Sequence, residues 1–156
     1  MSKAGKKGTM VRLQSAARLS RTSLAARLQS HGFYAGQDQI MMALDQEDGQ
    51  TPGQLAARLG VRPPTITKTI NRLQAQGVLE KKASESDARQ AHIFLTEDGR
   101  LAIKAIVKSV RKTEKAALKG LDKKDVKQLS KLLARIESNL SGSVDVEVED
   151  EETEEA

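Results

Sequence analysis

The 156-residue sequence contains no cysteine and no tryptophan, and its only aromatic residues are Phe33, Tyr34 and Phe94. Without cysteine, disulfides, thiol nucleophiles and cysteine-based zinc sites are excluded together. No apolar run approaches the roughly 18–20 residues that span a bilayer. The basic start MSKAGKKG leads into no apolar stretch typical of a secretory signal. We therefore expect a cytoplasmic, helix-rich protein whose core is built from Leu, Ile, Val and Ala.

Acidic residues are scarce everywhere except at the carboxyl end. The last thirteen residues, VDVEVEDEETEEA, hold eight acids and no base, so the rest of the chain has 26 bases and 13 acids, a formal charge of +13. A small domain with this surplus attracts polyanions, nucleic acid above all. The alternative is a highly soluble surface beside a solvated tail.

Hydrophobic periodicity predicts six helices and one β-hairpin between two disordered ends, a basic end at residues 1–10 and an acidic end at 143–156. The hairpin spans residues 78–95 with a polar turn. The predicted helices cover residues 11–30, 36–45, 52–59, 63–76, 97–121 and 122–140.

The third and fourth helices have the spacing of a helix-turn-helix. Thr51 and Gln54 form a capping box around Pro52 at the first helical position. About three residues, from Gly60 to Arg62, separate the two helices, which is the connection length of this motif.

The fourth helix divides into two faces when it is drawn at 100° per residue. Ile66, Ile70 and Leu73 cluster on the side that we expect in the core. The opposite side is small, polar and basic, without a single acid, and consists of Pro64, Thr65, Thr67, Lys68, Asn71, Arg72 and Ala75.

Apolar residues of the sixth helix follow a strict heptad seam, made of Val126, Leu129, Leu133, Ile136 and Leu140. We expect this seam to form a homodimer interface, to which Leu13 and Leu24 of the first helix add. The alternative is an antiparallel pairing with the fifth helix of the same chain.

The segment from Gly36 to Arg100 resembles the multiple-antibiotic-resistance regulator (MarR) family. Its most specific features are the wing sequence Asp87-Ala88-Arg89 and, at the right distance, Leu95-Thr96-Glu97-Asp98-Gly99. The other matching motifs are Gly36-Gln37, Thr51-Pro52-Gly53-Gln54-Leu55-Ala56, Leu59-Gly60-Val61, Thr65-Ile66-Thr67, Ile70, Arg72-Leu73 and Gly77-Val78-Leu79-Glu80-Lys81.

This resemblance implies a mainly α fold with a small β-hairpin wing. A winged helix-turn-helix DNA-binding domain at residues 36–100 is flanked by dimerisation helices at 11–35 and 101–142. The implied function is that of a homodimeric regulator, in particular a repressor released by a small molecule, on a pseudo-palindromic operator in double-stranded DNA. One departure from the family is Arg62, followed by two prolines, where a Ser, Asp or Asn cap is frequent.

Candidate DNA contacts follow from the face of the fourth helix and from the wing. Thr65, Thr67, Lys68 and Asn71 can reach base edges, and Arg89 resembles the family's arginine that enters the minor groove. We interpret Asp87 as a support that pairs with Arg89 or Arg72. The remaining candidates for phosphate or apolar contacts are Arg62, Pro64, Arg72, Lys81, Lys82, Ser84 and Ser86. His92 is a further candidate for a wing contact, because the strand alternation places its side chain outward.

An effector pocket is implied near the bend between the first two helices, where His31, Phe33 and Tyr34 lie close together in sequence. A small core patch explains the same residues equally well. His31 and His92 have no metal-ligand spacing, and no cofactor is expected.

Two other functions compete with a sequence-specific regulator. A basic architectural or RNA-associated protein would bind without sequence preference, but three aromatics are few for single-strand stacking. An enzyme is not expected, since the sequence has no Ser/His/Asp arrangement, phosphate loop or zinc motif.

The acidic end predicts competition with nucleic acid for the basic surface. Deleting residues 144–156 should raise nonspecific affinity for duplex DNA and steepen its salt dependence, because an internal polyanion is removed. Dissociation constants between low and physiological salt measure this effect. A full-length control with the eight acids changed to their amides should behave like the deletion, whereas equal salt slopes in all three proteins would leave the segment only a role in solubility.

Overall fold

The computed structural model describes residues 8–86 and 89–151, excluding the side chains of 143–151. Within these residues the chain is mainly helical with one two-stranded antiparallel hairpin, so the predicted fold class is confirmed. The elements, in chain order, are α1 (Thr9–Gln29), α2 (Gln37–Gln46), α3 (Pro52–Leu59), α4 (Pro63–Ala75), β1 (Leu79–Ala83), β2 (Ala91–Leu95), α5 (Glu97–Ala117) and α6 (Lys123–Glu151). The chain divides into two compact units, Met1–Ala117 and Leu118–Ala156.

Helix α3 begins with the predicted capping box. The Thr51 hydroxyl accepts the Gln54 N–H at 3.1 Å, and the Gln54 side-chain oxygen accepts the Thr51 N–H at 2.9 Å. These two bonds satisfy backbone donors that the first turn would leave unpaired. Arg62 occupies the N-cap position of α4 and makes no capping hydrogen bond with its side chain.

One core occupies the first unit. It is formed by apolar side chains of α2, α3 and α4, of the hairpin and of α5, closed by Leu28 and Phe33 at the end of α1. Its fully buried members include Ile40, Met41, Leu44, Leu55, Ile66, Ile70, Leu73, Ile93 and Ile106. The apolar face predicted for α4, made of Ile66, Ile70 and Leu73, is the face that enters this core.

The hairpin has two different faces, set by its register. Leu79 pairs with Leu95 and Lys81 pairs with Ile93, so these residues share the face that continues from the core. Glu80 and Lys82 point to the opposite face, with Phe94 and His92.

Residues 48–50 add an edge to the hairpin that the sequence did not predict. Gln50 forms a bridge with Ile93, whose N–H donates to the Gln50 carbonyl at 2.8 Å and whose carbonyl accepts the Gly49 N–H at 2.9 Å. Asp48 extends the contact, because its carboxylate accepts the Leu95 N–H at 3.0 Å and lies 3.5 Å from the Arg100 guanidinium.

Helix ends differ from the predictions at three places. Helix α1 begins at Thr9, inside the segment predicted to be disordered, while residues 1–7 lie outside the described part. Helix α5 ends at Ala117 rather than near Leu121, since Gly120 adopts φ +86° and Asp122 caps the next helix by accepting the Asp125 N–H at 2.8 Å.

The third difference is at the carboxyl end. Helix α6 continues to Glu151, beyond the predicted end near Leu140, because Gly142 does not adopt positive φ and no proline follows. Residues 152–156 of the predicted disordered tail lie outside the described residues.

The second unit carries apolar residues that its own chain does not bury. Among the described side chains of α6, Val126, Leu133 and Ile136 are half-buried, and Leu129, Leu132 and Leu140 are exposed. The heptad residues that the sequence singled out therefore present an apolar surface.

The close packing around Gly99 explains why the motif after the hairpin has a glycine at this position. A Cβ built there would overlap the backbone oxygen of Val78 and lie 3.2 Å from its carbonyl carbon, so only glycine allows α5 to start this close to the hairpin.

Gly99→Ala should lower the free energy of unfolding by about 1–3 kcal/mol, the usual cost of overpacking, because the obstructing atoms are backbone. Gly53→Ala is the matched control, since its Cβ would meet only the Thr51 hydroxyl at 3.9 Å. Urea unfolding of both variants measures the difference. If Gly99→Ala is as stable as wild type, the close packing of α5 against the Val78 carbonyl does not require glycine at position 99.

Candidate nucleic-acid interface

The outer face of α4 is exposed as the helical wheel predicted. Every residue from Arg62 to Thr65 is exposed, and so are Thr67, Lys68, Asn71 and Arg72, whereas Ile66, Ile70 and Leu73 are buried. Helix α4 contains no acid, so the surface that it presents to solvent is polar and positively charged. We call this set of exposed residues, Pro64 to Arg72 without Ile66, Thr69 and Ile70, the α4 outer face.

Thr67 uses its hydroxyl proton within the helix. Its Oγ1 donates to the Pro63 carbonyl at 3.0 Å, and Thr69 Oγ1 donates in the same way to Thr65 at 2.9 Å. Such bonds to the preceding turn leave the Thr67 methyl group and one acceptor position for an external partner. The Thr67 methyl group can therefore contact a thymine methyl, whereas its hydroxyl is not free to donate a hydrogen bond to an acceptor on a base.

Asn71 is joined to the hairpin by Lys81. The Lys81 ammonium donates to the Asn71 side-chain oxygen at 2.8 Å, and both residues are exposed. Lys81 was predicted to contact phosphate, and this pair was not predicted. The only feature of the sequence that pointed to the Lys81–Asn71 pair was the alternation of side chains along the hairpin, which places Lys81 on the same face as Ile93.

Lys82 lies on the other face of the hairpin. Its ammonium is 3.3 Å from Glu80 and 5.2 Å from the centre of the Phe94 ring. The ion pair is well exposed and contributes about 0–1 kcal/mol. Adjacent lysines of equal charge thus have different partners, one on α4 and one on the strand surface.

The described part of the wing is polar and exposed. The hydroxyl groups of Ser84 and Ser86 lie 2.9 Å apart, and the Ser84 N–H donates to the Gln90 carbonyl at 2.9 Å. Arg89 is exposed and has an interaction within the protein. Asp87, the predicted wing support, lies outside the described residues, so its role stays a prediction.

His92 does not point freely outward as the strand alternation predicted. Its Nδ1 lies 2.8 Å from the Gly49 carbonyl, and the ring is half-buried. The reason is the extra edge at residues 48–50, which covers the face that would be open in an isolated hairpin. Phe94 packs on the same segment, where a Cβ on Gly49 would lie 2.9 Å from the ring. His92 therefore connects the wing to the chain before α3.

The three candidate effector residues have different environments. Phe33 is only 5% exposed and belongs to the core, whereas Tyr34 is 63% exposed and His31 is exposed as well. The core-patch alternative thus describes Phe33 well. Effector binding by these three residues stays a prediction.

A cavity of about 150 Å³ lies beside them, between α1 and α2. Its walls include Leu24 and Leu28 of α1 and Asp38 and Gln39 of α2. Asp38 is buried, and this burial raises the pKa of its carboxyl group above the usual value, although Gly36 donates its N–H to the carboxylate at 3.2 Å. A polar group at the edge of an apolar cavity is the usual composition of a small-molecule site, but this cavity is smaller than the roughly 300–1,000 Å³ of such sites. None of His31, Phe33 and Tyr34 lines it.

Hydrogen bonds of two glutamines, Gln37 and Gln76, connect the start of α2 with the end of α4. Gln37, only 2% exposed, accepts the Tyr34 N–H at 2.9 Å and donates to the Gln76 side-chain oxygen at 2.8 Å. Gln76, the C-cap residue of α4, donates onward to the Gly32 carbonyl at 2.8 Å. The end of α4 is thereby tied to both sides of the bend between α1 and α2.

Neither a metal-binding cluster nor a membrane-spanning helix occurs among the described residues. No three His, Asp or Glu side chains of this part of the chain gather as they would to hold a metal ion. No helix in the same part is long and apolar enough to cross a membrane.

Residues 37–90 match a model of the MarR family. Among similar solved structures, the transcriptional regulator SlyA has 22% identity and a TM-score of 0.79, and the match covers 86% of this chain and 94% of SlyA. A mutant MarR from E. coli complexed with operator DNA has 20% identity and a TM-score of 0.77, covering 87% and 99%. BpsR from Bordetella bronchiseptica, whose DNA binding is regulated by 6-hydroxynicotinic acid, has 19% identity and a TM-score of 0.76, covering 83% and 92%.

Proposed function

We propose that the protein is a homodimeric transcriptional regulator of the MarR type, whose family model matches residues 37–90, and that it binds a pseudo-palindromic operator in double-stranded DNA. In this proposal α4 enters the major groove, and the hairpin lies over the adjacent minor groove. The similar MarR structure with operator DNA supports a DNA-binding role for the fold.

The α4 outer face is the observation that carries the proposal. It offers an ammonium group, a carboxamide and a threonine methyl within two helical turns, and α4 has no acid to repel phosphate. A major groove admits one α-helix, and these three groups match guanine, adenine and thymine edges in turn. Phosphate contacts from Arg62, Arg72 and Lys82 fix the register of the helix.

We further propose that a small molecule releases the protein from DNA, as in a repressor. The cavity lined by Asp38 offers a site, and the Gln37–Gln76 hydrogen bond joins the residue between the wall residues Gly36 and Asp38 to the end of α4. The regulation of BpsR by 6-hydroxynicotinic acid gives a precedent within the same fold.

A homodimer is the proposed assembly. The heptad residues of α6 are half-buried or exposed in one chain, and α1 also exposes Met10, Val11 and Leu19. Exposed apolar residues that gather on one helix are typical of protein–protein contacts. Leu13 is half-buried and available for such a contact, whereas Leu24 packs against the core of its own chain and adds less.

A basic architectural protein without sequence preference remains the second candidate. The surplus of bases outside the acidic end favours it, since charge alone supplies nonspecific affinity. The two candidates differ in whether one duplex sequence is preferred over others. A catalytic role is not proposed.

Selection from duplexes with a randomised core, at physiological salt, tests sequence reading. Wild type should enrich a pseudo-palindrome with half-site centres about 10–10.5 base pairs apart, as a two-fold dimer requires. Lys68→Ala should relax the preference at defined positions, since a good base contact is worth roughly 1–3 kcal/mol of discrimination. Arg89→Ala should weaken binding most where an A·T-rich minor groove meets the wing. Enrichment of no sequence would favour the architectural alternative.

The variant Asp87→Ala distinguishes two roles of Asp87, support of Arg89 in the wing and electrostatic repulsion of DNA. If Asp87 holds Arg89 in place, its removal weakens binding to the selected duplex, although a negative charge is lost. Charge alone predicts the opposite sign. Tighter binding in a gel-shift titration would therefore contradict the support role.

Leu133→Glu combined with Ile136→Glu should break the dimer, because two ionised groups buried in the seam cost several kcal/mol. Sedimentation equilibrium should then show monomers or unfolded chains. The control is Lys131→Glu with Arg135→Glu on the exposed side of the same helix, which adds the acids outside the seam. A dimer of normal stability in the seam variant would exclude α6 from the interface.

A further inference from the structure

We propose that Lys81 is a positioning residue for base recognition, which holds the carboxamide of Asn71 in the orientation that reads DNA. The inference rests on the proposed function and refines one part of it. It replaces the phosphate contact that the sequence suggested for Lys81.

The geometry singles out Lys81 among the bases of the hairpin. Its ammonium lies 2.8 Å from the Asn71 oxygen, across ten residues and from a different element. The antiparallel register places Lys81 opposite Ile93, on the face that α4 also contacts, whereas Lys82 stands opposite His92 on the other face. Only the first of the two adjacent lysines can therefore reach the α4 outer face.

The hydrogen bond removes an ambiguity that is inherent in asparagine. The oxygen and nitrogen ends of a carboxamide have nearly the same shape, and the last torsion of the side chain has broad, roughly two-fold wells. An ammonium group has three donors and no acceptor, so it can face only the oxygen end. Lys81 thus keeps the oxygen of Asn71 toward the hairpin and the NH₂ group away from it.

The fixed orientation leaves the groups that base reading needs. A carbonyl oxygen has two acceptor positions, of which Lys81 occupies one. The other acceptor position and both N–H donors stay available, and a bidentate contact with adenine uses one acceptor and one donor. Orientation before binding reduces the conformational entropy that is lost when the contact forms.

Lys81→Met tests this role because methionine keeps a long unbranched stem and removes the donor. The comparison set is wild type, Lys81→Met, Asn71→Ala, the double variant and Lys82→Met, each matched by circular dichroism and thermal melting. The probe is the best duplex selected by wild type from a randomised-core library, together with all its single-base-pair substitutions. Relative affinities across this set are measured at several salt concentrations.

The positioning role predicts a loss of preference at particular base pairs. Lys81→Met should reduce discrimination about fivefold, the fold-change of one ordinary hydrogen bond, at the same base pairs as Asn71→Ala. The double variant should lose no more discrimination than Asn71→Ala alone. Lys81→Arg, which keeps a donor, should restore part of the preference, and Lys82→Met should lower affinity without changing relative affinities.

A different pattern would overturn the inference while leaving the proposed function intact. If Lys81→Met weakens every duplex by the same factor and lowers the salt slope by about one, Lys81 is a phosphate contact. Additive effects in the double variant would likewise exclude positioning. If wild type enriches no sequence at all, the proposed function itself fails, and this inference fails with it.

Discussion

The junction between α4 and α5 is the constraint on which the rest of the first unit depends. Thr96 donates its N–H to the Val78 carbonyl at 3.1 Å and its hydroxyl to the Gly77 carbonyl at 2.7 Å, while its Oγ1 accepts the Gly99 N–H at 3.1 Å. The absence of a side chain on Gly99 permits this approach. The first two bonds join the residues before β1 to the residue after β2, so they close the root of the hairpin, and the third caps the start of α5. Once the root is closed against the end of α4, the side of the hairpin that meets α4 is set as well.

Residues 48–50 hold the same hairpin from the other side. Gln50 and Gly49 bond the backbone of Ile93, Asp48 bonds that of Leu95, and His92 meets the Gly49 carbonyl. The two strands of the hairpin are thus held by the segments before and after them. This arrangement suits a wing, because rigid elements place functional groups most precisely.

Local sequence signals predicted the helices and their caps well, and they failed where a side chain depends on a distant segment. The capping box at Thr51 and the two faces of α4 follow from residues within one or two turns, so a reader of the sequence can derive them. His92 was predicted to point outward because alternation describes an isolated hairpin. Its partner is the Gly49 carbonyl, 43 residues away in sequence, and no local sequence pattern predicts that this segment pairs with the hairpin. The Lys81–Asn71 bond escaped for the same reason, because it depends on the packing of a strand against a helix.

Internal hydrogen bonds decide which groups of the α4 outer face remain for DNA. The Thr67 hydroxyl donates its hydrogen bond within the helix, and the side-chain oxygen of Asn71 accepts a hydrogen bond from Lys81. The face therefore presents a methyl group, an oriented carboxamide and the Lys68 ammonium rather than a set of freely rotating polar groups. At the other end of the helix, Gln76 is hydrogen-bonded to Gln37 and Gly32, and Gln37 lies in sequence between the cavity residues Gly36 and Asp38. A shift of the bend between α1 and α2 would break or strain these bonds first, and it would reach the bases only through the orientation of α4 as a whole. A ligand in the cavity would thus weaken contacts along the entire helix rather than change which base each residue prefers, which is the behaviour required of a released repressor.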